Sequence, residues 1–204
     1  MQIILDISAN THKNDEAYYK RMIDELAEVD TRKHEVILKW QLFEHRGDNI
    51  RADRHLFRTM AEWAFKEHGY KTTASVFDLD SLIFLKMIAS WFYYYLPFIK
   101  IANDRSLDWL IGEIPRKYQV YKSVRTAKEF FNNDTVTLWC VSEYPANIND
   151  YPPIVRHISD HTVGLKLYHR NNPIIWEKHY KLSDSTGLDA GDFAITPQEL
   201  KEIL

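Results

Sequence analysis

Glycine is scarce, with six in 204 residues, well under the roughly 7% typical of globular chains. None is spaced as GxGxxG or GxxxxGK[ST], which excludes a Rossmann dinucleotide fingerprint and a Walker A phosphate loop. Cys140 is the one cysteine, so neither an intrachain disulfide nor a CxxC zinc site can form, and the usage fits a reducing, cytoplasmic setting. No excess of positive charge exists: 26 Lys and Arg face 29 Asp and Glu, a net charge of −3. That argues against nucleic acid as a partner, because phosphate neutralisation needs a basic face. HEVILK is not the HExxH zincin pattern, and no GxSxG elbow is present. The opening MQIILDIS lacks the positive segment and small-residue cleavage site of a signal peptide. The longest apolar stretch, 82–101, is broken by Lys86, Lys100 and Pro97. A membrane span needs ~20 mostly apolar residues, so this stretch reads as a buried helix and then a strand, with the aromatic run 91–95 used for packing. No membrane partner is expected.

What is present is alternation. Ile3 to Ile7 is a short apolar run too brief for a helix. Asn14 and Asp15 can cap a helix with Tyr19, Met22, Ile23 and Leu26 on one face. Strands follow at 36–40, 71–77 and 98–102, separated by helices from Asp53, closed by Gly69, and from Asp78 to Trp91. The second half is compressed: a short helix at 106–111, a strand at 119–123, barely a helical turn at 127–131, and a strand at 135–141. SEYPANINDYPP reads as a loop without regular structure. Strands at 154–158 and 174–178 bracket a short helix near 163–168, and Thr196 with Glu199 forms a capping box for a last helix. Eight strands each followed by a helix, or a vestige of one, predict a parallel sheet closed into a compact (β/α)8 TIM barrel, with shortened helices in its second half. A doubly wound open sheet is the alternative.

Barrel active sites are built where strands end, and polar residues gather there. The successive exits carry Asp6, Asn10 and His12; Lys39 and Gln41; Ser75 and Asp78; Lys100, Asn103 and Arg105; Ser123 and Arg125; Ser142 and Tyr144; Ser159, Asp160 and His161; Glu177 and His179. Lysines inside apolar strands, VILKW and FIKIA, are costly unless they meet an anion. A lone lysine in a strand is more often an exposed alternate position, but two in equivalent places point to a phosphate and carboxylate pocket. His34, His45, His55 and His68 read as surface residues, whereas His161 and His179 each end a strand beside a carboxylate, and two imidazoles on adjacent strands suit a divalent metal. Cys140 reads as buried filler and Asp78 as a helix cap.

In order, DISANTH, LKWQ, AFKEHGY…ASVFDLDSL, IKIAN, CVSEYPA, ISDHTVG, WEKHY and GLDAGDFAITPQELKEIL resemble the N-acetylneuraminate (sialic acid) synthase family along nearly the whole chain. The resemblance implies a single barrel domain over residues 1–204. It places a divalent metal, Mn2+ or Mg2+, on His161 and His179, and phosphoenolpyruvate on Lys39, Gln41, Ser75, Lys100, Ser123, Tyr144 and Ser159. Asp189 matches the acidic residue of the tail motif. Asp6 stands where the family has glutamate, Trp139 where a histidine usually precedes the cysteine, and Asn103 and Arg105 where serine and an acidic residue are usual. The loop after the second strand is short, and the chain ends where the family's C-terminal antifreeze-like domain would begin. The donor half is thus kept and the acceptor half eroded.

The expected reaction is a metal-assisted condensation of phosphoenolpyruvate with an aldehyde or sugar acceptor, giving a 2-keto acid. Asp6 or Glu177 would act as base, Lys100 would stabilise departing phosphate, and Arg105 would favour an anionic acceptor. A homodimer is compatible with the resemblance. The rival readings are a non-catalytic barrel kept for binding or assembly, and a lysine-dependent aldolase using Lys39 or Lys100.

Overall fold

The computed structural model describes residues 1–8, 15–91, 96–130 and 135–204, apart from the Trp91 side chain. Asn10, His12, the Asn14 cap and the aromatic run 91–95 named above lie outside the described residues, wholly or, for Trp91, in the side chain. Eight parallel strands close in chain order into a barrel: β1 (Gln2–Asp6), β2 (Glu35–Leu42), β3 (Lys71–Val76), β4 (Ile99–Ile101), β5 (Val120–Val124), β6 (Val136–Cys140), β7 (His157–Asp160) and β8 (Ile175–His179). The register pairs Asp6 with both Lys39 and His179, and Ser75 with Lys100. Residues from five strands are thereby brought toward the same end of the barrel.

Three full helices cover the first half: α1 (Glu16–Val29), α2 (Arg54–His68) and α3 (Leu79–Trp91). Asp15 caps α1 by accepting from the Ala17 and Tyr18 amides, and Asp53 caps α2 through Leu56. Gly69, at φ 73°, ends α2 in the left-handed region where a Cβ is unfavourable. The inward stripe of α1 docks on β2, with Tyr19 stacked on Trp40 at 4.5 Å. The later helices are short: α4 (Leu110–Glu113), α5 (Ala127–Phe130), α6 (Lys166–Asn171) and α7 (Pro197–Leu200), the last with the Thr196–Glu199 capping box. No helix among the described residues is long and apolar enough to cross a membrane.

Four local expectations needed correction. The helix at 106–111 is a 3-10 turn, Arg105–Leu107, followed by α4, because Asp104 caps Ser106 and closes the first turn early. The loop after β6 holds a 3-10 turn, Ile148–Asp150, nucleated by Asn147 accepting from the Asn149 amide. β7 starts at His157 and not at Ile154: the Val155 amide is spent on a turn to the Pro152 carbonyl, and Ile154 is 85% exposed. The helix after it starts later as well, at Lys166.

Inside the barrel, Ile4, Ile37, Phe98, Tyr121, Leu138 and Ile175 form an apolar plug at the N-terminal end. Phe98 and Tyr121 stack at 3.9 Å and 6°. The larger core lies between the strands and the helices.

Candidate functional site

Side chains alternate along a strand, so two positions beyond each plug residue the chain again faces inward. Those positions are Asp6, Lys39, Lys100, Ser123, Cys140 and Glu177, all buried. With Ser75, Ser159, His161 and His179 they line a cavity of about 550 Å³ at the C-terminal mouth, and Gln41, Asn103, Arg105 and Tyr144 stand around it. Asp189 reaches the mouth on a 3-10 turn, Leu188–Ala190, and lines an adjoining cavity of about 250 Å³ with Gln41, Tyr144 and His179. Among the described residues, those that the resemblance assigned to metal and phosphoenolpyruvate, together with Asp189, thus lie at one end of the barrel.

The centre is a chain of ion pairs. Lys39 Nζ donates to Asp6 Oδ2 at 2.5 Å and to Ser75 Oγ at 3.2 Å, and lies 4.0 Å from Glu177 Oε1. Lys100 Nζ donates to the same Glu177 oxygen, which also accepts from Ser159 Oγ at 2.8 Å. Gln41 Nε2 bridges Asp6 Oδ2, at 3.0 Å, and Asp189 Oδ2, at 3.3 Å. Removing an ion from water costs several kcal/mol even after relaxation, so four buried charges persist only because they neutralise one another.

Protonation follows the same geometry. Burial works against the charge on Glu177, but Lys100 and Lys39 outweigh it and hold the carboxyl at about 2. Burial also opposes charge on both lysines. Lys39, between Asp6 and Glu177, is nevertheless raised; Lys100, with Glu177 beside it and Lys39 nearby, is lowered. Burial pushes Asp189 up to about 6, with His179 opposing and Asp6 adding to the rise. His161 is held well below its usual value by burial and by the neighbouring His179.

His161 Nδ1 lies 2.6 Å from the Val141 carbonyl. Only an N–H satisfies a carbonyl, so Nδ1 carries the proton and Nε2 keeps a lone pair. Tyr144 packs on this ring at 4.3 Å, and the His161 and His179 rings are 5.3 Å apart. His179 Nδ1 is buried without a hydrogen bond, 3.5 Å from Asp189 Oδ1 and 4.0 Å from Asp6 Oδ2. Asp6, His179 and Asp189 offer ligand atoms within 4.8 Å of one another. Two carboxylates and an orphaned imidazole nitrogen fit a divalent cation. The grouping differs from the expected pair: His179 is joined by Asp6 and Asp189, and His161 stands beside the cluster.

Several residues behave otherwise than their sequence positions suggest. Asp160 points away from the mouth. It pairs with the fully buried Lys178 at 3.2 Å and accepts from Trp176 Nε1 and the Thr162 amide, a structural role under the helices. Asp78 caps Ser81 and also accepts from the Glu44 amide at 2.8 Å, fixing the loop after β2. Arg105 is 78% exposed and paired with Glu129 at 2.9 Å. His34 and His68 are half-buried, His68 hydrogen-bonded to Asp24. Sequence reasoning missed Arg46 and Phe77, which line the mouth, and Phe193, whose ring packs against Tyr144 and His179. They sit on connections, where no periodicity marks an inward residue.

No family model and no curated protein matches the sequence. Among solved structures, the chain is similar to N-acetylneuraminic acid (sialic acid) synthetase from Leptospira borgpetersenii serovar Hardjo-bovis, crystallised in complex with citrate. The TM-score is 0.76 at 24% identity, covering 98% of this chain and 80% of that one. In fold, the chain is a sialic acid synthetase-like barrel.

Proposed function

We propose that this barrel condenses phosphoenolpyruvate with an aldehyde-bearing acceptor, a sugar or a simpler aldehyde, releasing phosphate and leaving a 2-keto acid. The observation that carries the reading is the convergence of Lys39 and Lys100 on Glu177 at the barrel mouth. The fold shared with a sialic acid synthetase supports it. Two ammonium groups suit a donor that carries a carboxylate and a phosphate on the same carbon.

In the free protein Glu177 and Asp6 occupy these cations. An arriving donor competes for them, with the hydroxyls of Ser75, Ser123 and Ser159 as further donors to its oxygens. Ser123 Oγ is buried and makes no hydrogen bond of its own. The reaction then balances as follows. Enol C3 forms a bond to the aldehyde carbon, whose oxygen gains a proton. Water adds at C2 and loses one proton, giving a tetrahedral centre. Its C2–O bond to phosphate then breaks as the new hydroxyl becomes the keto group and gives its remaining proton to the departing phosphate. Asp6 or Glu177, released from its lysine, takes the proton from water, and Lys100 steadies the departing phosphate. Tyr144, Asn103 and Arg105 form the wall on the acceptor side. Asp6, His179 and Asp189, with His161 beside them, would hold Mn2+ or Mg2+, which when bound supplies Lewis acidity toward the aldehyde oxygen.

The test is to incubate the protein with phosphoenolpyruvate, Mn2+ and a panel of aldehydes, and to follow phosphate and 2-keto acid. Equal amounts of both, formed only when aldehyde is present, are expected. Failure of the wild type to bind phosphoenolpyruvate in calorimetry, with and without Mn2+, would overturn the reading. A second reading, a Schiff-base aldolase, is favoured by the depressed Lys100. Borohydride with pyruvate would then leave a mass adduct on Lys100.

A further inference from the structure

Among the described residues, the lysines and arginines that line the mouth are matched to carboxylates with one exception. Lys39 meets Asp6, Lys100 meets Glu177 and Arg105 meets Glu129. Further out, Lys122 meets Asp108 and Arg125 meets Glu143. Arg46 lines both the 550 and the 250 Å³ cavities, and it makes no ion pair among the described residues.

Its position is fixed by other means. The loop carrying it is pinned by the bond from the Glu44 amide to Asp78 and turns through Gly47, whose φ of 54° lies in the left-handed region. Asn49 closes the turn by donating its backbone and side-chain amides to the Arg46 carbonyl, at 3.0 and 2.8 Å. Arg51 in the same loop and Arg54 at the start of α2 both spend their charge on Glu44. The Arg46 guanidinium instead lies 3.8 Å from the centre of the Phe77 ring. A guanidinium resting on a ring keeps its N–H edge available for a planar oxyanion.

Two carboxylates face Arg46 from neighbouring elements, Asp104 and Asp189. Neither pairs with it. Asp104 Oδ1 accepts from the Ser106 amide and hydroxyl, and Asp189 is directed to Gln41 and His179. A neutral acceptor would leave this held guanidinium unmatched at the wall of the site.

We propose that Arg46 determines specificity for the second substrate, and that this substrate carries an oxyanion, a phosphate or a carboxylate, which Arg46 binds through its N–H edge. This rests on the condensation reading for the word acceptor, and it moves the expected anion contact from Arg105, already paired, to Arg46.

The test compares glyceraldehyde 3-phosphate, succinic semialdehyde and neutral glyceraldehyde by calorimetry, with the protein free and saturated with phosphoenolpyruvate. At least one anionic aldehyde should bind about tenfold or more tighter than glyceraldehyde, since a charge-assisted bidentate contact reaches that scale. The phosphate and carboxylate arms separate the two oxyanion sources. Arg46→Gln should erase the preference, Arg46→Lys should keep part of it, and Arg125→Gln, whose arginine pairs with Glu143 outside the cavity, should leave it intact. The circular dichroism and the unfolding midpoint of Arg46→Gln should match wild type, which reports that the variant is folded. Absence of any preference in the wild type, or its survival in Arg46→Gln, would overturn the proposal. If phosphoenolpyruvate does not bind while the preference still tracks Arg46, the donor reading fails and the oxyanion site stands.

Discussion

The two ends of the barrel interior are built on the same strands and do opposite work. At the N-terminal end Ile4, Ile37, Phe98, Tyr121, Leu138 and Ile175 fill the bore. Two positions further along the chain, roughly 6–7 Å at 3.3 Å per residue, stand Asp6, Lys39, Lys100, Ser123, Cys140 and Glu177. The plug contributes burial and packing. The charged layer above it contributes little net stability, because desolvation of its ions offsets their attraction. The comparison teaches that stability and chemistry are stacked rather than mixed, and each layer predicts a different response to substitution.

The largest effect should come from leaving one side of the charged layer unpaired. Glu177→Leu takes the carboxylate from Lys100 and from the second side of Lys39, and should cost about 3–5 kcal/mol in chemical denaturation. Lys100→Met combined with Glu177→Leu removes the pair together, so most of that loss should return while phosphoenolpyruvate binding stays absent. A double variant as unstable as the single one would show that the pair itself stabilises the fold.

In the plug, Leu138→Ala should cost about 2–5 kcal/mol through lost burial and a cavity. Phosphoenolpyruvate affinity, measured well below the midpoint of unfolding, should stay within about threefold of wild type, a shift under ~0.7 kcal/mol. A larger fall would mean that the two layers are coupled.

Ser123→Ala sharpens the contrast at a smaller scale. Its hydroxyl is buried without a hydrogen bond, so the folded state should lose nothing, which thermal denaturation beside wild type checks. Phosphoenolpyruvate should bind about two- to tenfold more weakly, the scale of one hydrogen bond at roughly 0.5–1.5 kcal/mol.

The smallest effect lies at the closed end, below the plug. The Lys71 hydrogen bond, against some burial, holds Glu35 below its ordinary value, and Gln2 adds a second bond. A carboxyl whose folded pKa is depressed adds stability that is complete above its unfolded value of about 4.3 and is lost as pH falls through the folded one. Glu35→Gln should therefore flatten slightly the acid limb of the stability curve and change nothing near neutrality. The side chain is 44% exposed, so solvent screening keeps the effect small. An equal change at neutral and acid pH would point to packing rather than charge.

Much of this arrangement was legible in the sequence because a barrel repeats one device. Alternating strands and helices gave eight units, and VILKW and FIKIA placed Lys39 and Lys100 at equivalent points on their strands. What escaped reading depends on strand phase and on connections. In SDH only alternate residues face inward. The bond from Trp176 and the pair with Lys178 turn Asp160 outward, leaving Ser159 and His161 in the mouth. Asp189 reaches His179 only because the tail folds back over β8, where Ile195 N–H donates to the His179 carbonyl at 2.8 Å. Arg46 belongs to a turn whose aim is set by Gly47, Asn49 and Phe77, none of which marks a functional residue in a linear reading.

The most direct test of the stacked arrangement is paired calorimetry and denaturation on two variants, Leu138→Ala and the Lys100→Met, Glu177→Leu pair. The account predicts a double dissociation: the plug variant is less stable but binds phosphoenolpyruvate as wild type does, and the paired variant is about as stable as wild type but does not bind. Phosphoenolpyruvate binding retained in the paired variant would contradict it, because the charged layer would then not be the donor's site.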